Sequence, residues 1–300
     1  MATSENGQHR YVFVLGTGRC GSTMVEEALA RHPDAAFVSN LEDRSRIASF
    51  TDRWNNPVYR LIPPSFTRKG RVRFAPSEGY RALDREVSPI LSRPWRDLTA
   101  ADVTPWLAAQ TRRFFERRAR EQGRPVFVHK FTGWPRAGFL ACVFPESTFI
   151  HVVRDGRAVA NSWLQTPWWE GFNGPDHWQF GPLSEAYAQE WARSGHSFPV
   201  LAGILWKLLV DAHDGAAASM PGGRWMEIKY EDVVASPTAS FSAMADFAGL
   251  PRNPEFDRQL ASLSFISGRT DAYRKDLGQP VVDALTRSLR SHLECRGYPI

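Results

Sequence analysis

Cysteine is scarce in this sequence, and its scarcity argues against two kinds of site. Cys20, Cys142 and Cys295 are odd in number and widely spaced, so they predict neither a disulfide framework nor a zinc site. No cluster of carboxylate, histidine or cysteine residues suggests a metal ion, and we expect none. Thiols without a disulfide pattern are typical of a reducing compartment, so we expect a cytoplasmic protein.

Long hydrophobic segments and dense charge are missing too. The longest apolar run, residues 198–210, is interrupted by Lys207 and is too short to cross a bilayer. The first ten residues are polar and show no signal peptide, so we expect no transmembrane segment. The net charge of +5 suits an anionic ligand, although mild basicity is common. The basic residues are scattered, and we expect no nucleic-acid partner.

Strand and helix patterns alternate along the chain. Strands are predicted at residues 11–15, 35–39, 126–130, 148–153 and 225–230. Helices are predicted at residues 23–31, 101–122, 136–144, 157–164, 185–194, 200–218, 239–248 and 281–294. Alternation of this kind predicts an α/β fold of three layers, with a central parallel sheet between helices. With no linker and no internal repeat, residues 1–300 are predicted to form a single domain, whose ligands bind at the carboxyl ends of the strands.

Two segments break this alternation. Residues 41–100 are rich in proline and arginine with weak periodicity, and residues 166–183 form a stretch rich in glycine, proline and tryptophan. Long segments over an α/β sheet are commonly lids or binding surfaces. We therefore expect both to be lids or substrate-facing surfaces, with an aromatic mini-core under a surface loop as the alternative for residues 166–183.

The most informative stretch is residues 11–23, where an apolar strand leads into a glycine-rich turn and then a helix. This order directs backbone N–H groups and a helix N-terminus at one point, which predicts a phosphate site. The spacing matches a P-loop, but Ser22 stands where P-loop nucleoside triphosphatases have a lysine. The cation Arg19 lies inside the loop instead. Cys20 is predicted to be a small loop residue, with a nucleophilic role as the alternative.

A second anion-binding pattern follows the strand at residues 148–153. Arg154 stands at the strand end, and Ser162 follows in the next helix. An arginine fork beside a hydroxyl suits a terminal phosphate. A surface pair between Arg154 and Asp155 is the alternative for the segment taken alone.

Together the segments 18–23 and 153–162 resemble the donor-binding motifs of sulfotransferases that use 3′-phosphoadenosine 5′-phosphosulfate (PAPS). Residues 229–237 and the tail from residue 273 resemble further family segments. The residues of these motifs are more similar to the bacterial, carbohydrate and protein-tyrosine branch of the family than to the phenol and steroid branch. The resemblance implies PAPS as donor, 3′-phosphoadenosine 5′-phosphate (PAP) as product and no metal. It implies these donor-binding residues: Gly18, Arg19, Cys20, Gly21, Ser22, Thr23, Met24, Arg154, Ser162, Tyr230, Arg269 and Lys275.

The resemblance also assigns the chemistry. Arg19 and Lys130 are expected to stabilise the charge on the leaving oxygen, with Lys130 in the position of the family's catalytic lysine. The phenol and steroid enzymes have a histidine two residues after that lysine, whereas this chain has Thr132. The other branch uses a glutamate soon after the second strand, so Glu42 is the expected base.

Other residues remain open as the base. Asp43 and His177 are the alternatives, and Glu42 itself is open to a surface pairing with Arg44 or Arg46.

The expected acceptor is a small molecule that carries a hydroxyl group: a carbohydrate, a glycolipid or another metabolite. The residues predicted to contact it are Trp168, Trp169, His177 and Trp178. A homodimer is left open, since some members of the family dimerise. Two other functions remain as alternatives: a P-loop small-molecule kinase, and a nucleotide-binding relative without activity.

Overall fold

A five-stranded sheet forms the centre of the computed structural model, which describes residues 9–45, 52–63, 74–263, 265 and 269–300. The strands are β1 (Arg10–Gly16), β2 (Ala35–Ala36), β3 (Val126–Thr132), β4 (Thr148–Val153) and β5 (Trp225–Lys229). Their order is β2-β3-β1-β4-β5, and every pair is parallel. The sheet confirms the predicted α/β class, and its five strands lie where the sequence predicts them.

The second strand is shorter than predicted because a side chain takes over its hydrogen bonds. Gln122 accepts from the Phe37 N–H at 3.2 Å and donates to the Phe37 carbonyl at 2.8 Å. Phe37 therefore satisfies its backbone without a strand partner. Ser39 then forms an isolated antiparallel bridge with Pro76. This bridge draws the segment around Pro76 towards the carboxyl edge of the sheet.

Helices cover both faces of the sheet. In chain order they are α1 (Ser22–Leu29), α2 (Asn40–Arg44), α3 (Asn55–Leu61), α4 (Tyr80–Glu86), α5 (Pro89–Ser92), α6 (Pro105–Gln122), α7 (Ala137–Val143), α8 (Gly156–Leu164), α9 (Glu185–Arg193), α10 (Phe198–Ser219), α11 (Tyr230–Ala235), α12 (Pro237–Ala248), α13 (Pro254–Ala261), α14 (Ala272–Leu277) and α15 (Gln279–Cys295). Short 3₁₀ turns lie at Asp52–Trp54, Ala100–Asp102 and Glu170–Asn173. Within the described residues, no helix is both long and apolar enough to span a bilayer.

Local capping explains where the long helix α6 begins and ends. Thr99 and Asp102 close a capping box around the preceding 3₁₀ turn, so the predicted start at residue 101 moves to Pro105. Thr104 caps the first turn of α6 by accepting from the Leu107 N–H. Gly123 then ends the helix in the left-handed conformation, with φ at 60°.

Alternate residues of β1 build the core on opposite faces of the sheet. Phe13 and Leu15 pack into one cluster with aromatic residues of α6, while Val12 and Val14 pack into another under α1 and α12. A third cluster joins α8, α10 and α15 around Trp163. The strands are thus held rigidly from both sides, which fixes the positions of their carboxyl ends.

The pairing register brings three chain segments together at that edge. Gly16 at the end of β1 is paired with Thr132 at the end of β3. On the other side of β1, Leu15 is paired with His151, three residues before Arg154. The loop after β1 therefore emerges between Lys130 on β3 and Arg154 after β4.

Candidate active site

The loop after β1 has backbone conformations that only certain residues adopt readily. Gly18 and Gly21 have φ of 88° and 97°, and Arg19 between them has φ of 56°. A Cβ on Gly21 would overlap the ring of Tyr230, so the position needs glycine for space as well as for conformation. Gly21 also supplies no side-chain cap to α1, and no acidic residue lies in the first turn. The N-terminus of α1 is consequently open to an anion.

The two predicted anion-binding segments meet directly. Arg19 Nε donates to Ser162 Oγ at 2.8 Å across 143 residues of sequence. Arg154 Nη1 donates to the Arg19 carbonyl at 3.2 Å, and Arg154 Nη2 donates to the Arg269 carbonyl at 2.7 Å. The guanidinium of Arg154 lies 4.5 Å from the centre of the Tyr230 ring. Five of the predicted donor-binding residues therefore form one continuous surface.

The charges on this surface are of one sign. Burial, followed by the nearby charges of Arg269 and Arg154, lowers the pKa of Arg19. Arg154 Nε is buried and has no partner within the described residues. Arg154 is buried whereas Arg19 is exposed, and among the described residues neither forms an ion pair with a carboxylate, so a bound polyanion would stabilise this arrangement. These cationic and hydrogen-bond-donating groups fit a nucleotide with separate phosphate groups.

Lys130 reaches the same loop from β3. Its Nζ donates to Thr23 Oγ1 at 2.7 Å and lies 3.4 Å from Glu78 Oε1 and 3.6 Å from Glu26 Oε2. Burial opposes the charge of Lys130, but the carboxylates of Glu78 and Glu26 outweigh it and hold its pKa above the usual value. Lys130 is therefore a fixed cation beside the first turn of α1.

Glu42, the expected base, is engaged elsewhere. Its carboxylate forms a buried ion pair with Arg118 Nε, and Arg118 Nη2 donates to both carboxylate oxygens of Glu86 at 3.0 Å. The Glu42 and Arg118 side chains are 3% and 0% exposed. Burial raises the pKa of Glu42, and Arg118 opposes the shift. The arrangement favours a structural role for Glu42, since an acceptor molecule has no access to its carboxylate.

The alternative bases lie in other surroundings. Asp43 Oδ1 accepts from the Ala82 N–H at 3.0 Å and so ties α2 to α4. His177 is exposed on the surface. The Glu42 carboxylate is paired with Arg118 in the interior, and the predicted pairing with Arg46 lies outside the described residues.

We expect Glu42→Gln to lower stability more than activity. Removing one charge of a buried pair should decrease the free energy of unfolding by about 3 kcal/mol, since Glu86 is then the one carboxylate paired with Arg118 among the described residues. Turnover per folded molecule should stay within about threefold, because the carboxylate does not face the reacting groups. Urea denaturation and initial rates measure the two effects. A loss of turnover near a hundredfold at unchanged stability would return Glu42 to the mechanism.

Three more of the predicted donor-binding residues lie in the loop after β1 or in the first turn of α1, and Lys275 lies apart on α14. Ser22 is buried in the first turn of α1, Cys20 is buried in the core, and Met24 packs against the same cluster as Cys20. Cys20 is thus a packed loop residue, in line with the reading of a small side chain in a tight turn. Lys275 is exposed on α14, which packs against α8.

The aromatic segment divides into buried and exposed residues. Trp169 and Trp178 are buried in the cluster around Trp163, whereas Trp168 is 53% exposed. Phe180, which belongs to the predicted substrate-facing segment, lies near the end of β3: a Cβ on Gly133 would lie 3.3 Å from its ring. The segment 166–183 therefore combines a mini-core with one aromatic ring next to the end of β3.

Glu78 lies near the site, although the sequence did not single it out. It follows the bridge between Ser39 and Pro76 and lies beside Lys130. Thr132 Oγ1 donates to Glu78 Oε1 at 2.9 Å. No local motif marks Glu78, because its placement depends on pairing with a distant segment. Among the described residues, no group of three histidine, cysteine or carboxylate residues has the geometry of a metal site.

Comparison with known proteins identifies the family. The sequence profile described as "Sulfotransferase family" matches residues 11–254. The chain belongs to the sulfotransferase family. This sulfotransferase shares its fold with the sulfotransferase domain from the curacin biosynthetic pathway, with a TM-score of 0.55 and 15% identity over 98% of this chain and 99% of that one.

Two mycobacterial sulfotransferases have the same fold. STF9 from Mycobacterium avium matches with a TM-score of 0.57 and 14% identity, over 97% of this chain and 78% of that one. STF1 from Mycobacterium tuberculosis H37Rv matches with a TM-score of 0.51 and 16% identity, over 90% of this chain and 76% of that one. A comparison with curated protein sequences gave no significant match.

Proposed function

We propose that this sulfotransferase transfers the sulfuryl group of PAPS to a hydroxyl group of a small molecule and releases PAP. The contact between Arg19 and Ser162, with Arg154 bound to the Arg19 carbonyl, carries the proposal. A donor with phosphate groups at both ends of an adenosine requires two anion sites at a fixed separation. The two segments that resemble those sites in the sequence lie side by side in the fold.

Each part of the surface has a separate task in this proposal. The N-terminus of α1, with the hydroxyls of Ser22 and Thr23, holds the 5′-phosphate end. Arg154 and Ser162 hold the 3′-phosphate, since an arginine fork with a hydroxyl suits a phosphate dianion. Tyr230, stacked against Arg154, borders the adenine. PAPS supplies the sulfuryl group.

Lys130 and Arg19 supply the electrostatic part of catalysis. Negative charge develops on the oxygen that links sulfur to the 5′-phosphate as the bond to sulfur breaks. Lys130 Nζ donates a hydrogen bond to Thr23 Oγ1 in the first turn of α1, where the 5′-phosphate end is proposed to bind, so its charge is in place before the reaction. Fixed charges of this kind lower the barrier, because the site need not reorganise.

The acceptor side is assigned to residues from the two irregular segments. Glu78 and Tyr80 come from residues 41–100, and Phe180 comes from residues 166–183. Aromatic faces with a few polar groups suit a carbohydrate, a glycolipid or another small metabolite with a hydroxyl. We therefore propose a small-molecule hydroxyl as the acceptor.

Titration calorimetry with PAP tests the donor assignment. We expect binding at about micromolar dissociation constants, and binding at least tenfold weaker for ATP with Mg²⁺, since Ser22 stands where a kinase loop needs lysine. Tighter binding of ATP with Mg²⁺ than of PAP would favour a kinase. PAP binding without any turnover of PAPS would favour a relative without activity.

A further inference from the structure

We propose that Glu78 is the general base that takes the proton from the acceptor hydroxyl. The inference rests on the proposed function and adds the residue that activates the acceptor. Glu42 leaves this task open, because its carboxylate is buried against Arg118. A base must lie within reach of the reacting groups and open to the acceptor.

Glu78 meets both requirements. Its Oε1 lies 3.4 Å from Lys130 Nζ, and its side chain is 30% exposed. Glu26 lies at a similar 3.6 Å from Lys130 but is only 1% exposed, on the inner side of α1. Two carboxylates thus flank one lysine, and only that of Glu78 is open to an incoming molecule.

A chain of hydrogen bonds holds the Glu78 carboxylate in one orientation. Thr132 Oγ1 donates to Glu78 Oε1 at 2.9 Å, which uses the hydroxyl proton of Thr132. The Tyr80 hydroxyl, 3.1 Å away, therefore donates to Thr132 Oγ1 and itself accepts from the Thr132 N–H at 3.1 Å. The hydroxyl protons of both Thr132 and Tyr80 are thus used in this chain of hydrogen bonds. Burial, and then the charge of Glu78, raises the pKa of Tyr80, so its hydroxyl remains a donor.

The position of Lys130 links this base to the donor loop. Lys130 Nζ contacts both Thr23 Oγ1 in the first turn of α1, at 2.7 Å, and Glu78 Oε1, at 3.4 Å. An acceptor hydroxyl beside Glu78 would therefore lie close to the donor loop. In-line displacement requires the acceptor oxygen to be held close to sulfur in this way.

The proposed step balances. The acceptor oxygen forms a bond to sulfur while the bond from sulfur to the bridging oxygen breaks. The electron pair of that bond stays on the 5′-phosphate of PAP, next to Lys130. The acceptor proton passes to the Glu78 carboxylate, which returns it to solvent after the products leave.

The test compares Glu78→Gln with Glu26→Gln. Both changes remove a carboxylate near Lys130, and glutamine at position 78 still accepts from Thr132. The assay follows release of PAP from radiolabelled PAPS, with water as the acceptor, and PAP affinity by calorimetry. We expect Glu78→Gln to lower turnover by about a hundredfold or more, with PAP affinity within about threefold. Glu26→Gln should lower turnover by less than about tenfold, because its carboxylate cannot reach the acceptor.

Two further readouts separate a base from a structural residue. The rate of the wild-type enzyme should fall at acid pH, and this acid limb should vanish in Glu78→Gln. Formate should restore part of the turnover of Glu78→Ala, since it can enter the partly exposed position. Equal losses in the two glutamine variants, or no rescue by formate, would overturn the assignment of Glu78. Wild-type protein that neither binds PAP nor turns over PAPS would instead overturn the proposed function.

Discussion

Lys130→Met will lower PAPS turnover by about a thousandfold. Methionine keeps most of the buried stem of Lys130 but removes the charge that lies beside the first turn of α1. The leaving oxygen then gains negative charge without its nearest fixed cation. PAP should still bind within about tenfold, because Arg154, Ser162 and the loop N–H groups remain. Single-turnover rates with saturating PAPS, beside calorimetry with PAP, measure the two quantities.

Lys207→Met is the matched control for that experiment. Lys207 is also a buried lysine, and its Nζ donates to both carboxylate oxygens of Glu190, at 2.6 and 2.8 Å. It lies on α10 and packs towards α9 and α15, away from the loop after β1. Its loss should reduce stability and leave turnover per folded molecule within about twofold. A loss below tenfold in Lys130→Met would remove Lys130 from the chemistry.

Arg154→Ala will weaken PAP binding by about a hundredfold, and it will leave adenosine 5′-phosphosulfate nearly unaffected. The second ligand has no 3′-phosphate, so it makes no use of the guanidinium fork. Removing the fork leaves a phosphate dianion without its charged partner, which accounts for the size of the effect. Competition calorimetry with the two ligands gives both affinities on the same protein.

Arg296→Ala is a suitable control for Arg154→Ala. Both arginines are 8% exposed, but Arg296 is paired with Asp214 at 2.5 Å and lies at the end of α15. Its loss should change stability without changing the preference between the two ligands. If Arg154→Ala weakened both ligands equally, the 3′-phosphate would have to be held by other residues.

Much of the fold follows from local sequence patterns. The apolar runs of β1, β3 and β4 are continuous because both faces of the sheet are covered. Such runs predict a strand from the local sequence alone. The residue at which β2 ends cannot be predicted from the local sequence. It depends on Gln122, a side chain 85 residues away, which satisfies the backbone of Phe37.

The contact between Arg19 and Arg154 could be predicted from the sequence, whereas the surroundings of Glu42 and Glu78 could not. Arg19 and Arg154 each follow a strand of a parallel sheet, and adjacent strands end at the same edge, so their meeting follows from topology. Glu42 follows a strand too, but Arg118 from the distant helix α6 binds it. Glu78 lies near the site because of the bridge between Ser39 and Pro76, and no local sequence pattern predicts this bridge.

A crystal structure of the complex with PAP tests the central claim most directly. We predict one PAP molecule with its 5′-phosphate at the N-terminus of α1, beside Thr23 and Lys130. Its 3′-phosphate should lie between Arg154 and Ser162, with the adenine against Tyr230. A PAP molecule that engages only one of these two sites, or that binds on another face of the sheet, would contradict the account.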